Sequence, residues 1–143
     1  MPTIVIPCSK RKCDKKKAPA HIMYGASAFN RGLQAYARAF YKESDIFFLS
    51  ARYGLVAYDT PIDNYEEKLT RVTDAKRELL ESTAAQLPAS GRVDFLGGRL
   101  YHRWLQHVRP KAVHLSAGCR GMGYINQLVK NAVDNKKRIV PPA

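Results

Sequence analysis

Residues 3–10 read Thr-Ile-Val-Ile-Pro-Cys-Ser-Lys. Residues 3–6 are a short β-branched apolar run and Pro7 stops it, so the stretch predicts a buried first strand that ends in a turn of small residues and a cation. The pattern recurs three times. Residues 46–49 lead into Ser50-Ala51-Arg52-Tyr53-Gly54, residues 93–96 into Gly97-Gly98-Arg99, and residues 112–115 into Ser116-Ala117-Gly118-Cys119-Arg120-Gly121. Between the strands lie helical patterns over 26–41, 70–86 and 99–108, and a last one follows over 124–133. Strand and helix alternate four times, which predicts an α/β fold: a single three-layer domain, residues 1–143, with a mainly parallel sheet of about four strands flanked by helices. Residues 50–64 read as a long polar connection, and the tail from Lys136 as peripheral.

The chain has 143 residues with a net charge of +12, long enough to bury a core without a metal or disulfide staple. Basic side chains dominate both ends of the chain and acidic ones the middle. A domain so divided can turn a positive face toward phosphate-bearing partners; it can equally carry the charge for solubility. Cys8, Cys13 and Cys119 make neither an even secreted framework nor paired metal ligands, so no metal is expected. The first apolar run is too short for a signal peptide or a membrane span. A reduced cytoplasmic setting without a membrane is the expectation, and oligomeric state stays open.

In a parallel α/β sheet, the segment after each strand lies at the carboxyl edge, where such folds bind ligands. The four turns quoted above combine small residues, which let backbone N–H groups approach an anion, with Lys10, Arg52, Arg99 and Arg120. The glycines of residues 118–123 do not have the dinucleotide spacing, and Walker A, H-E-x-x-H and G-x-S-x-G patterns are absent. No cofactor is implied. Met122, between two glycines, is left without a role.

Residues 50–69, SARYGLVAYDTPIDNYEEKL, carry a more specific signal. This run resembles the signature of the YaaA-like superfamily, and IVIPCSKRK resembles the opening of its small bacterial and phage branch. FLGGRLYHRWL is similar to the family's Gly-Gly-x-x-Tyr element. The resemblance implies DNA or another nucleic acid as partner and, through glycosylase-like relatives, removal of a modified base. It carries over to Cys8, Ser9, Lys10, Ser50, Arg52, Tyr53, Gly54, Asp59, Tyr65, Gly98 and Tyr101. Ser116-Ala-Gly-Cys-Arg-Gly-Met-Gly departs from it, where a Pro-Leu-Gly-Leu-type stretch is the family pattern.

Three functions compete. In an N-glycosylase-type hydrolase, Asp59 stabilises the oxocarbenium charge and orients water. Ser9 and Ser50 bind the base edge, Lys10, Arg52 and Arg120 hold phosphate or base oxygens, and Tyr53, Tyr65 or Tyr101 stacks on an extruded base. Against this, Asp59 can form a turn before Pro61, and the tyrosines can be core edges. A non-catalytic DNA-binding module needs only the charge and the Lys10–Lys17 cluster. An enzyme for a nucleoside or other small molecule would use Cys8 beside Lys10 as nucleophile, although a strand-end cysteine can also be inert packing.

Overall fold

The computed structural model describes residues 2–141. In chain order its elements are β1 (Thr3–Pro7), β2 (Lys17–Pro19), α1 (Ala20–Tyr24), α2 (Ala28–Phe40), β3 (Ile46–Ser50), β4 (Gly54–Ala57), β5 (Pro61–Asp63), α3 (Asp74–Thr83), β6 (Val93–Phe95), α4 (Arg99–Leu105), β7 (Val113–His114) and α5 (Met122–Asn135). Five strands form one sheet in the order β4-β3-β1-β6-β7, and β2 pairs with β5 in a separate two-stranded sheet. β1 is parallel to β3 and β6, and β6 to β7; only β4 runs antiparallel. Among the described residues the fold is α/β with a mostly parallel sheet and five α-helices.

Continuous apolar runs mark strands covered on both faces, and the side chains divide accordingly. Ile4, Ile6, Ile46, Phe48 and Val56 join a cluster with Met23 and Tyr24 of α1, Leu33 and Tyr36 of α2, and Ile125 and Val129 of α5. Their alternates Val5, Phe47, Leu49 and Leu55 pack with Leu80 of α3 and with Trp104 and Leu105 of α4. Trp104 is fully buried and donates from Nε1 to the Lys76 carbonyl at 2.9 Å. Ser27 caps α2 and Thr73 caps α3, each accepting from the backbone N–H three residues on.

Two expectations need correction. The sheet has five strands, because residues 50–64 are not a plain connection: the chain reverses at Ser50–Gly54 and returns as β4, pairing Ser50 with Gly54 and Phe47 with Ala57. Gly54 makes the reversal possible at φ +74°, and a Cβ there would lie 2.7 Å from Thr83 Oγ1 and 3.2 Å from the Leu79 carbonyl. Gly54→Ala should therefore lose about 2 kcal/mol or more in urea unfolding, from left-handed strain plus overpacking. A loss under about 0.5 kcal/mol would mean the turn tolerates a side chain. The tail is not peripheral either. Ile139 is buried, and its N–H donates to Tyr36 Oη at 3.0 Å.

From β1 the chain moves to β3 on one side and later places β6 on the other. The helices leaving β1 and β6 cover opposite faces. The carboxyl ends of these two strands are therefore a topological switch point, where a crevice opens.

Candidate functional site

A cleft of about 540 Å³ occupies that crevice, within the usual ~300–1,000 Å³ of small-molecule sites. Three turns build it. The first follows β1, and its Pro7 carbonyl accepts from the buried Asn30 Nδ2 of α2 at 2.9 Å, while Gln34 Nε2 holds Asn30 Oδ1 at 2.9 Å. Cys8 N–H donates to the Leu49 carbonyl at 3.0 Å, which ties the turn to β3. Ser9 Oγ donates to the Arg11 carbonyl at 2.6 Å and so shapes the turn from within.

The second turn follows β6. A Cβ on Gly97 would sit 2.9 Å from the Pro7 ring, so the two turns meet backbone against ring at the cleft floor. Ser116 of the third turn locks this contact: its Oγ donates to the Gly97 carbonyl at 2.7 Å and accepts from Gly97 N–H at 3.0 Å. His114 Nε2 reaches the same carbonyl at 2.8 Å, and its ring stacks on His102 with centroids 4.3 Å apart. Burial lowers the His114 pKa, which keeps the ring neutral and its Nε2–H aimed at that carbonyl.

Cys8 Sγ and Tyr101 Oη are hydrogen-bonded at 3.3 Å on the cleft wall, and Tyr101 Oη also accepts from Leu69 N–H at 3.4 Å. Burial, with the Cys8 sulfur next in weight, pushes the Tyr101 phenol well above its ordinary value. Burial also raises the Cys119 thiol. Four cations, Lys10, Arg11, Arg99 and Arg120, line the cleft and are exposed. Among the described residues none of them is in an ion pair, and no Asp or Glu lines the cleft. Pro7, Phe29, Met122 and Ile125 supply apolar wall. The arrangement suits an anionic ligand with a flat or apolar part.

Of the residues singled out in the sequence, Cys8, Ser9, Lys10, Gly98, Tyr101 and Arg120 meet in this cleft, with Arg99. Six do not: Ser50, Arg52, Tyr53, Gly54, Asp59 and Tyr65. The turn after β3 leads into a hairpin rather than a helix, so it does not join the other three. Ser50 is fully buried, and its Oγ accepts from Arg52 N–H at 3.2 Å and Tyr53 N–H at 3.0 Å. Tyr65 is buried, with its Oη 2.8 Å from Ser50 Oγ and 2.7 Å from Tyr24 Oη. Lys12 Nζ covers its ring at 4.2 Å and Tyr53 meets it edge-on, so Tyr65 offers no free face for a base. Arg52 is exposed over the Tyr53 ring and is not among the residues lining the cleft.

Asp59 needs the clearest correction. Because β4 is antiparallel, it carries the chain away from the carboxyl edge, and Asp59 ends up 71% exposed beside His21 Nδ1 at 3.2 Å. The sequence reading missed Arg11, Ser27, Phe29 and His114 as wall residues. Ser27 caps α2 and Phe29 lies in its first turn. The helical pattern over 26–41 is the first to follow β1 in the sequence, and a helix so placed begins at the carboxyl edge; that was the available signal, even though β2 and α1 intervene.

A second recess, of about 340 Å³, shares Lys10 with the cleft and is lined also by Lys12, Glu66, Glu67 and Lys68. Glu67 is bound to Lys76, which leaves Glu66 unpaired among the described residues. Burial lowers the Lys12 pKa against the opposing pull of Cys8 and Glu66.

Among the described residues no group of His, Cys, Asp or Glu could hold a metal ion, and no helix is long and apolar enough to cross a membrane. The model of a family of unknown function, DUF6884, matches residues 3–130, a span that includes every wall residue of the cleft. No curated protein and no solved structure matches the chain.

Proposed function

The chain belongs to this family of unknown function, DUF6884, and from its own site we propose that it processes nucleic acid, taking one nucleotide unit of DNA into the cleft. The observation that carries this reading is the convergence of three post-strand turns on a nucleotide-sized cleft that has, among the described residues, four cations outside any ion pair and no Asp or Glu. Such a wall repels cations and attracts phosphate, while Phe29 and Met122 give a base something to lie against. The PCSK-type opening and the Gly98–Tyr101 element, which carry the YaaA-like resemblance, both contribute residues to this wall. Helices against both sheet faces support a three-layer domain.

The proposed reaction is hydrolytic release of a modified base. Negative charge near the sugar, once assigned to Asp59, passes in this reading to Glu66 in the recess across Lys10. Duplex and single-stranded DNA bearing modified pyrimidines, incubated with the protein and examined for free base by mass spectrometry, test it. Glu66→Gln should slow release about 100-fold, the scale of a general-base contribution, with little change in binding. A fully active variant removes Glu66 from the reaction. The lack of a carboxylate inside the cleft favours a second reading, a DNA-binding module without turnover; salt-sensitive binding with no base released from any substrate would select it.

A further inference from the structure

Among the described residues only Ile22, Met122, Tyr124 and Val140 are large, hydrophobic and exposed, and two of them share the first turn of α5. Met122 is 61% exposed and also lines the cleft, and Tyr124 is 60% exposed. Gly121 and Gly123 flank Met122, yet the backbone does not demand them. Gly121 has an extended φ of 174°, Gly123 is helical, and a Cβ on either would meet nothing within 4 Å. With glycine on both sides, Met122 has no side chain on either chain neighbour and stands mostly exposed at the cleft rim.

We infer that Met122 is an apolar wedge that enters duplex DNA and fills the gap left by the nucleotide taken into the cleft. The inference rests on the nucleotide reading above and extends it to base-paired DNA. A nucleotide cannot enter a cleft while it is stacked in a duplex, so it must be extruded, and the vacated step must be filled or it closes again. Proteins that unstack base steps do so with unbranched or bulky apolar side chains, methionine among them. Met122 is such a side chain at the mouth of the receiving cleft, and Arg120 stands two residues before it.

The charges select the occupant. Lys10, Arg11, Arg99 and Arg120 line the same mouth without acidic partners among the described residues, a setting for phosphates on either side of an extruded nucleotide and a poor one for an apolar protein surface. Tyr124 then offers a ring to a base beside the opened step.

The test uses duplexes with 2-aminopurine in a mismatched pair, whose fluorescence rises when it leaves the stack, alongside the same strand unpaired. The intact protein should raise the duplex signal severalfold. Met122→Ala should abolish that rise and lower duplex affinity relative to single-strand affinity about tenfold, and Met122→Leu should restore both. Because Met122 is mostly exposed, the variants should fold, and their circular dichroism should match the parent's. An alanine variant with an unchanged affinity ratio and signal overturns the wedge. So does a parent protein that is dimeric by light scattering and becomes monomeric in Met122→Ala, which would assign the surface to a second copy of the chain. Single-strand binding with no duplex signal overturns the wedge and leaves nucleotide capture standing; binding of neither form overturns both.

Discussion

Alanine at both Arg99 and Arg120 is expected to weaken oligonucleotide binding roughly 100-fold or more at low salt. A hydrogen bond to a charged group contributes about 1.5–3 kcal/mol and 1.4 kcal/mol is a factor of ten, so two lost phosphate contacts give at least two decades. The salt dependence makes the result specific. Each phosphate neutralised on a single strand contributes about −0.7 to the slope of log K against log salt, so the slope should become shallower by about 1.4. Fluorescence anisotropy from 50 to 300 mM salt measures both quantities. Thermal stability should hold, because both side chains are exposed and neither is in an ion pair among the described residues.

Lysine at the same positions separates charge from geometry. It keeps the point charge, and with it the salt slope, but gives up the planar fork that grips two phosphate oxygens, so affinity should fall to an intermediate value. A double alanine variant with the parent's slope would mean that these arginines are only solvated. The +12 balance would then speak for solubility.

The carboxyl edge was legible in the sequence because each of its turns states itself locally. Residues 3–10 hold a β-branched run, a proline stop and a cation, and no distant contact is needed to read them. The Gly97–Arg99 and Ser116–Gly121 turns read the same way, and all three meet in the cleft. The fourth turn looks identical in composition but leads elsewhere. Its course depends on one glycine at positive φ and on a four-residue strand that alternation cannot distinguish from a loop.

That reversal also explains why the most specific resemblance pointed to residues outside the cleft. Ser50, Tyr53, Gly54 and Tyr65 bond or pack with one another, so a pattern this distinctive can be maintained by a hairpin as well as by a ligand. Asp59, carried over from the same resemblance, lies outside the site with them because antiparallel β4 leads the chain away from the carboxyl edge. Glu66 and Met122 could not have been placed from sequence. The first depends on how the segment after β5 returns beside Lys10, and the second on where the start of α5 meets the cleft rim.

Raising the pH above 10 is expected to unfold the protein cooperatively, the largest stability effect the structure implies. Burial is the leading cause that pushes the phenols of Tyr24, Tyr41, Tyr65 and Tyr101 well above their ordinary value. In the unfolded chain these groups ionise near pH 10. Between that value and their raised folded values the unfolded state binds fewer protons than the native state, so stability is whole below pH 10 and falls as pH rises. Each phenol that stays neutral in the fold removes about 1.4 kcal/mol per pH unit. Four together remove about 5 kcal/mol per unit, against a total near 5–15 kcal/mol for a domain of this size. Deprotonation of lysines relieves some positive self-repulsion and works in the opposite direction, but salt screens that contribution, so the transition should persist at 0.5 M salt. The phenols of Tyr24, Tyr41, Tyr65 and Tyr101, half of the chain's eight tyrosines, should therefore add their absorbance at 295 nm in one steep step that coincides with the loss of far-ultraviolet circular dichroism, both followed from pH 9 to 12. Phenolate absorbance of all eight tyrosines reached with the dichroism intact would mean that these four are open to solvent. The Tyr24–Tyr65–Ser50 bonds that hold the β3–β4 turn would then not be formed as described.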